Sequence, residues 1–196
     1  VEMLTVHGRT RLQGYNGLAN WKWIGKVAAA AKIPVIGNGD VNSVAVARER
    51  IETYGVSGVS IGRGAMHNPW IFGQIADAWE GKPAHEITAM EALDVFPLYY
   101  KFKLEDGSTE MGALGRLKQL GARLCKGFCQ EGCGDEVGMH VRQTLLTAQT
   151  PQEFFERLEV LRNGVVKSMC FDPNRLINLN GAKETELKFG DQFAGR

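Results

Sequence analysis

Through its first eighty residues the chain alternates short apolar runs with longer amphipathic stretches. Residues 3–7, 34–37 and 58–61 are short, rich in β-branched side chains, and end in glycine or a polar group, as strands buried in a parallel sheet do. Between them Asn20 can cap a helix over 21–31, on which Trp23, Ile24, Val27 and Ala31 share one face. Asn42 or Ser43 opens a second helix over 44–54, closed by Gly55 as a left-handed cap. Asn68 as cap and Pro69 at the first helical position predict a third over 69–79, which stops at Glu80-Gly81. Strands returning roughly every 25–30 residues with helices between them are βα units on a parallel sheet.

At Gly81-Lys82-Pro83 the pattern changes, and no further β-branched run follows. Helical spacing predicts segments at about 87–104, 111–129, 135–147 and 151–168, broken at Asp106-Gly107-Ser108 and over 132–134. Thr150-Pro151-Gln152-Glu153 is a strong helix start, with a cap, a proline at the first position and a glutamate at the third. The expected organisation is an α/β part over 1–83, an all-α bundle over 84–170 and an irregular tail over 171–196.

Composition narrows the class. With 44% apolar and 23% charged residues the chain reads as an ordinary globular protein. No apolar run approaches the ~20 residues of a membrane span and no signal-peptide pattern opens it, so a cytoplasmic protein with no membrane association is expected. The first strand would need neighbours on both sides, which suggests a chain cut from something longer. A net charge of +1 argues against a general nucleic-acid coat and leaves any polyanion to local patches. No obligate protein partner is evident.

Several residues could carry chemistry. Asn38-Gly39-Asp40 directly follows a strand, where it is either a plain turn before a helix or a loop that lets backbone, amide and carboxylate approach a ligand. Gly62-Arg63-Gly64 at the next strand end suits a phosphate, or else Arg63 is a rim residue paired with a carboxylate. In a (β/α)8 barrel the phosphate site lies in the loops after the last two strands, which favours the ligand reading for both loops together. His7 is a cofactor contact or a structural histidine, and Arg9 and Arg11 form a basic rim or a solvated surface. On the helix over 111–129, Arg116, Arg123 and Lys126 fall within about a quarter turn at 100° per residue. They lie opposite Leu114, Leu117, Leu120, Leu124 and Phe128, so this stripe either meets phosphates or is a solvated face. Cys125, Cys129 and Cys133, spaced by four, would stack along one helix side, as core thiols rather than as a metal or iron–sulfur site.

Thr5-Val6-His7-Gly8-Arg9-Thr10-Arg11, Pro34-Val35-Ile36-Gly37-Asn38-Gly39-Asp40, Ile61-Gly62-Arg63-Gly64-Ala65 and Asn68-Pro69-Trp70-Ile71-Phe72 together resemble the tRNA-dihydrouridine synthase family. Tyr15, Gly17, Ala19 and Trp21 agree in between, and Arg142 and the Thr-Pro-Gln-Glu-Phe-Phe helix start agree later. The resemblance implies the last three βα units of an FMN-containing (β/α)8 TIM-type barrel followed by a helical tRNA-binding domain. Such enzymes are oxidoreductases that use NADPH to reduce the flavin, which passes hydride to C6 of a uridine in tRNA while a cysteine protonates C5. Carried over by motif, His7 contacts the flavin, and Asn38, Gly39, Asp40, Gly62 and Arg63 hold the ribityl phosphate. Arg116, Arg123 and Lys126 would face the RNA. The family's Asn-x-Gly-Cys-Pro motif is not among these residues, so the proton donor is expected upstream of Val1, no catalytic residue is assigned here, and the 196 residues alone are expected to be inactive. The competing readings are an FMN barrel acting on a free pyrimidine and a non-catalytic RNA- or phosphate-binding fragment.

Overall fold

The computed structural model describes residues 1–83, 85–130, 136–173 and 175. Three parallel strands, β1 (Leu4–His7), β2 (Val35–Asn38) and β3 (Gly58–Ser60), pair in sequence order, with His7 opposite Asn38 and Asn38 opposite Ser60. That register brings the carboxyl ends of all three strands to one edge, where loops of βα units carry chemistry. Helices α1 (Trp21–Ala30) and α2 (Val44–Tyr54) form the crossovers. Asn20 caps α1 by accepting from Trp23 N, Ser43 caps α2 by accepting from Val46 N, and Gly55 ends α2 in the left-handed conformation.

The apolar face of α1 differs from the expected one. Trp21 and Ile24 are buried against Val35, Val41, Ala47 and Val56, whereas Trp23 is 61% exposed with the Lys26 ammonium over its ring. The helix beyond β3 also differs. A short helix, α3 (Arg63–His67), comes first, and α4 begins only at Ile71 and runs to Trp79. Asn68 therefore ends α3 instead of capping a helix over 69–79, although its Oδ1 still accepts from Trp70 N.

The second part is helical: α5 (Ala89–Glu105), α6 (Glu110–Leu124), α7 (Glu136–Leu146) and α8 (Pro151–Asn163). Thr88 and Glu91 form a reciprocal capping box at the start of α5, and Thr150 caps α8 ahead of Pro151. Leu93, Phe96, Leu117, Leu124, Phe128, Val141, Leu145 and Phe154 are fully buried in one core distinct from that of the sheet. Phe96 and Phe154 meet edge-on at 5.6 Å.

Two expected helices end early. The segment over 111–129 stops at Leu124, continues as a 3₁₀ turn (Cys125–Gly127) and becomes a strand, β4 (Phe128–Cys129). The segment over 151–168 stops at Asn163 before a 3₁₀ turn (Val165–Ser168), and β5 (Cys170–Phe171) pairs antiparallel with β4. The expected absence of strands after residue 83 is thus corrected, for a pairing between two-residue segments leaves no periodicity to read. Most of the expected irregular tail and Cys133 lie outside the described residues. Among those described, no helix is long and apolar enough to cross a membrane.

Candidate functional site

The carboxyl edge of the sheet is held together by a chain of side-chain hydrogen bonds. Asn38 Nδ2 donates to Ser60 O at 2.9 Å, which leaves its Oδ1 to pair with His7 Nδ1, also at 2.9 Å. An amide oxygen can only accept, so Nδ1 carries the imidazole proton and Nε2 remains as the acceptor of neutral His7. β1, β2 and β3 are thereby tied by two residues at adjacent strand ends.

Just beyond, Gly39 takes a φ of 143°, and its Cβ, had it one, would collide with that of Ala19. Its carbonyl accepts from Trp21 Nε1 at 2.8 Å. Asp40 follows at a φ of 52°, the only non-glycine residue in left-handed backbone among those described. Such a conformation costs of order 1 kcal/mol and survives where the surroundings over-determine it. They do so here through the carboxylate. It accepts two bonds from Arg9 Nη2 (2.7 and 2.6 Å), a third from Ala19 N (2.6 Å) and a longer fourth from Arg63 Nη2 (3.2 Å).

Arg9 and Arg63 therefore converge on one carboxylate. Arg9 is largely covered, its side chain 13% exposed, and also donates to Asn16 O at 3.2 Å. Arg63 is 49% exposed and lies over the Tyr15 ring, 4.3 Å from the centroid. Arg63 thus pairs with a carboxylate while about half of its side chain stays exposed. Of the expected rim, Arg9 is built into the network, whereas Arg11 is exposed.

The cationic stripe of the helical part reaches this region. Arg116 and Arg123 lie on α6, and Lys126 falls on the 3₁₀ turn after it rather than on the helix. A cleft of about 490 Å³ separates the loop around α3 from α5 and α6, and Met66, Pro69, Tyr99, Lys103, Arg116 and Arg123 line it. His67, one turn beyond Arg63 on α3, has its pKa lowered by burial and by the charges of Arg123, Lys126 and Arg63. Its Nδ1 is buried without a hydrogen-bond partner. The loop cation and the helix cations thus act on one group. Sequence reasoning missed His67, because no helix was expected over 63–67 and the two residues share a helical face only once α3 forms.

Cys125 and Cys129 do not stack along one helix, and Cys133 lies outside the described residues. Cys125 is fully buried, with burial pushing its thiol up to about 12. Cys129 has left the helix for β4.

A model of the family described as dihydrouridine synthase (Dus) matches residues 1–164. Over 103 residues the chain is 46% identical to a probable tRNA-dihydrouridine synthase of Rickettsia prowazekii, which covers 51% of this chain and 31% of that protein. It is 30% identical over 211 residues to a tRNA-dihydrouridine(47) synthase [NAD(P)(+)] of Coprinopsis cinerea, covering 92% of this chain and 30% of the other. The corresponding Xenopus laevis protein, named as similar to that enzyme, is 27% identical over 196 residues, with 91% and 30% covered. The chain spans about a third of the length of these relatives. Because the match runs over residues 1–164, from the first strand through α8, and takes in both loops at the strand ends, the chain belongs to the dihydrouridine synthase family.

Proposed function

We propose that this chain is the phosphate-anchoring and RNA-facing part of an FMN-dependent tRNA-dihydrouridine synthase. On this reading the sheet is the last three βα units of a (β/α)8 barrel, NADPH is the reductant, and the reaction saturates the C5=C6 bond of a uridine in tRNA. The observation that carries it is the pair of arginines held on Asp40 beside the carboxyl ends of adjacent strands, where such barrels take phosphate.

The residues fit a flavin phosphate. Nothing lies within 4 Å of the place a Cβ on Gly62 would occupy, so the backbone there is open to a ligand. Arg63 is half exposed with one nitrogen on Asp40, and its other donors are available for a bidentate contact. When bound, FMN would supply the hydride to the uridine. Asp40 serves as a positioning residue, engaged by Arg9, Arg63 and Ala19 rather than facing an anion itself. Asn38 orients His7 so that Nε2 accepts, Gly39 lets its backbone pack against Ala19, and Gly62 leaves its backbone open to a ligand. Arg116, Arg123 and Lys126 face the RNA, the two arginines lining the cleft between the two parts. The 196 residues contain no Asn-x-Gly-Cys-Pro sequence, so in this reading the proton donor comes from elsewhere in the enzyme and the chain alone does not reduce uridine.

The test is flavin retention by the full-length protein. A charge-assisted contact in a pre-formed site contributes about 1.5–3 kcal/mol, so Arg63→Ala should weaken FMN binding about ten- to a hundredfold. Binding of riboflavin, which lacks the phosphate, should change little. Arg63→Lys should recover part of the loss, since an ammonium cannot form the fork. Unchanged FMN affinity in Arg63→Ala would overturn the assignment of this loop.

A further inference from the structure

Three parts of the molecule meet at the β4–β5 pair. Cys170 forms an isolated antiparallel bridge with Thr88, the cap of α5. Phe171 stacks edge-on against Phe128 at 5.3 Å and against Trp70, just before α4, at 5.6 Å. Its ring lies so close to Gly127 that a Cβ there would stand 2.5 Å from it, so only glycine fits under the ring. In this tightly held register Cys129 is opposite Cys170, 41 positions away, and the two Sγ atoms are 2.7 Å apart.

Non-bonded heavy atoms rest at roughly 3.5–4 Å, whereas a disulfide needs about 2.05 Å. The two sulfurs are thus within about 0.7 Å of bonding distance. The pair is asymmetric in access: Cys129 is 9% exposed and Cys170 is open to solvent. Burial and the neighbouring Cys170 thiol raise the Cys129 pKa, with Arg175 opposing. Cys125 is buried and, among the described residues, no third Cys, His, Asp or Glu joins the two sulfurs in a metal-binding group.

We propose that Cys129 and Cys170 form a redox-reactive dithiol that closes reversibly to a disulfide by exchange with a small-molecule disulfide of the glutathione class. Accessibility assigns the order of events. The Cys170 thiolate attacks one sulfur of the oxidant R–S–S–R, forming a Cys170–S–S–R mixed disulfide and expelling R–S⁻. The Cys129 thiolate, its proton having passed to water, then attacks Cys170 Sγ and expels the second R–S⁻. The protein loses two electrons and two protons, and the oxidant gains both as two R–SH. The new bond would staple the segment after α6 to the segment after α8, at the point where Phe171 packs on Trp70.

The experiment equilibrates the full chain in glutathione buffers of graded reduced-to-oxidised ratio, alkylates the remaining thiols and maps the peptides by mass. The expected result is loss of two thiols among the chain's four cysteines, a mass decrease of about 2 Da before alkylation, and one cross-linked pair joining Cys129 to Cys170. Cys129→Ser should stop at a Cys170–glutathione mixed disulfide, and Cys170→Ser should leave Cys129 free. Four free thiols across the whole range, a disulfide through Cys133 instead, or masking of the pair only when zinc is added would each overturn the proposal. The wild-type peptide map decides the matter even if a variant fails to fold.

Discussion

Asp40→Ala removes four accepted hydrogen bonds at once and strands the Arg9 guanidinium in a site that leaves only 13% of its side chain exposed. Breaking a fully buried ion pair from one side costs about 3–5 kcal/mol, and an exposed pair about 0–1. Arg9 and Asp40, at 13% and 20% exposure, stand nearer the first case, whereas half-exposed Arg63 stands nearer the second. The expected loss of stability is therefore about 2–4 kcal/mol. Backbone strain can be separated from charge, because Asp40 sits at a φ of 52°, which glycine adopts freely. Asp40→Gly should accordingly be about 1 kcal/mol less damaging than Asp40→Ala. Asp40→Asn, which tolerates the same backbone and can still accept from Ala19 N, should fall between wild type and alanine. Urea unfolding followed by tryptophan fluorescence is the assay, since Trp21 bonds to the neighbouring Gly39 carbonyl and reports on this loop. A double-mutant cycle with Arg9→Met should return a coupling of about 1.5–3 kcal/mol. An Asp40→Ala protein within about 0.5 kcal/mol of wild type would show that the carboxylate organises nothing, and so would a cycle that closes to zero.

Replacing Arg116, Arg123 and Lys126 together with alanine should flatten the salt dependence of tRNA binding by about 0.9 in slope for each phosphate no longer neutralised, read by filter binding across an ionic-strength series. The same variant should raise the His67 pKa in an NMR titration, because the Arg123 and Lys126 charges that help burial lower it are gone; an unmoved His67 would mean the stripe lies too far from α3 to act on it. At the start of α5, hydrogen bonds from the Thr88 backbone, its hydroxyl and His85 hold Glu91 at about 2, below its usual 4.5. A depressed carboxylate stabilises the fold above the unfolded value, so this contribution is whole above about pH 4.5 and fades as pH falls toward 2. Glu91 is 40% exposed, which limits the effect: Glu91→Gln should cost about 0.5–1 kcal/mol at pH 7 and nothing near pH 2, measured by unfolding at both.

What the sequence determined by itself is what short-range chemistry can carry. The three strands, the capping residues Asn20 and Thr150, Ser43 as one of two candidates with Asn42, and the loops Asn38-Gly39-Asp40 and Gly62-Arg63-Gly64 are each readable from neighbours a few residues apart, because cap and strand-end signals act over one turn or one pleat. The structure placed them where that reading put them, save that Arg63 opens a helix of its own and Asn68 closes it. Only the tertiary structure decided which tryptophan of α1 is buried, since Trp21 and Trp23 both flank the apolar stripe and the choice depends on where Gly37 makes room. It alone decided that one carboxylate serves both Arg9 and Arg63, a matter of β1 lying beside β2 and of β3 following it. The pairing of Cys129 with Cys170 belongs to the same class. Helical periodicity carried on through Phe128, but the core around Phe128 and Phe171 is formed by segments some forty residues apart, and that packing outweighs a local preference of a few tenths of a kcal/mol per residue.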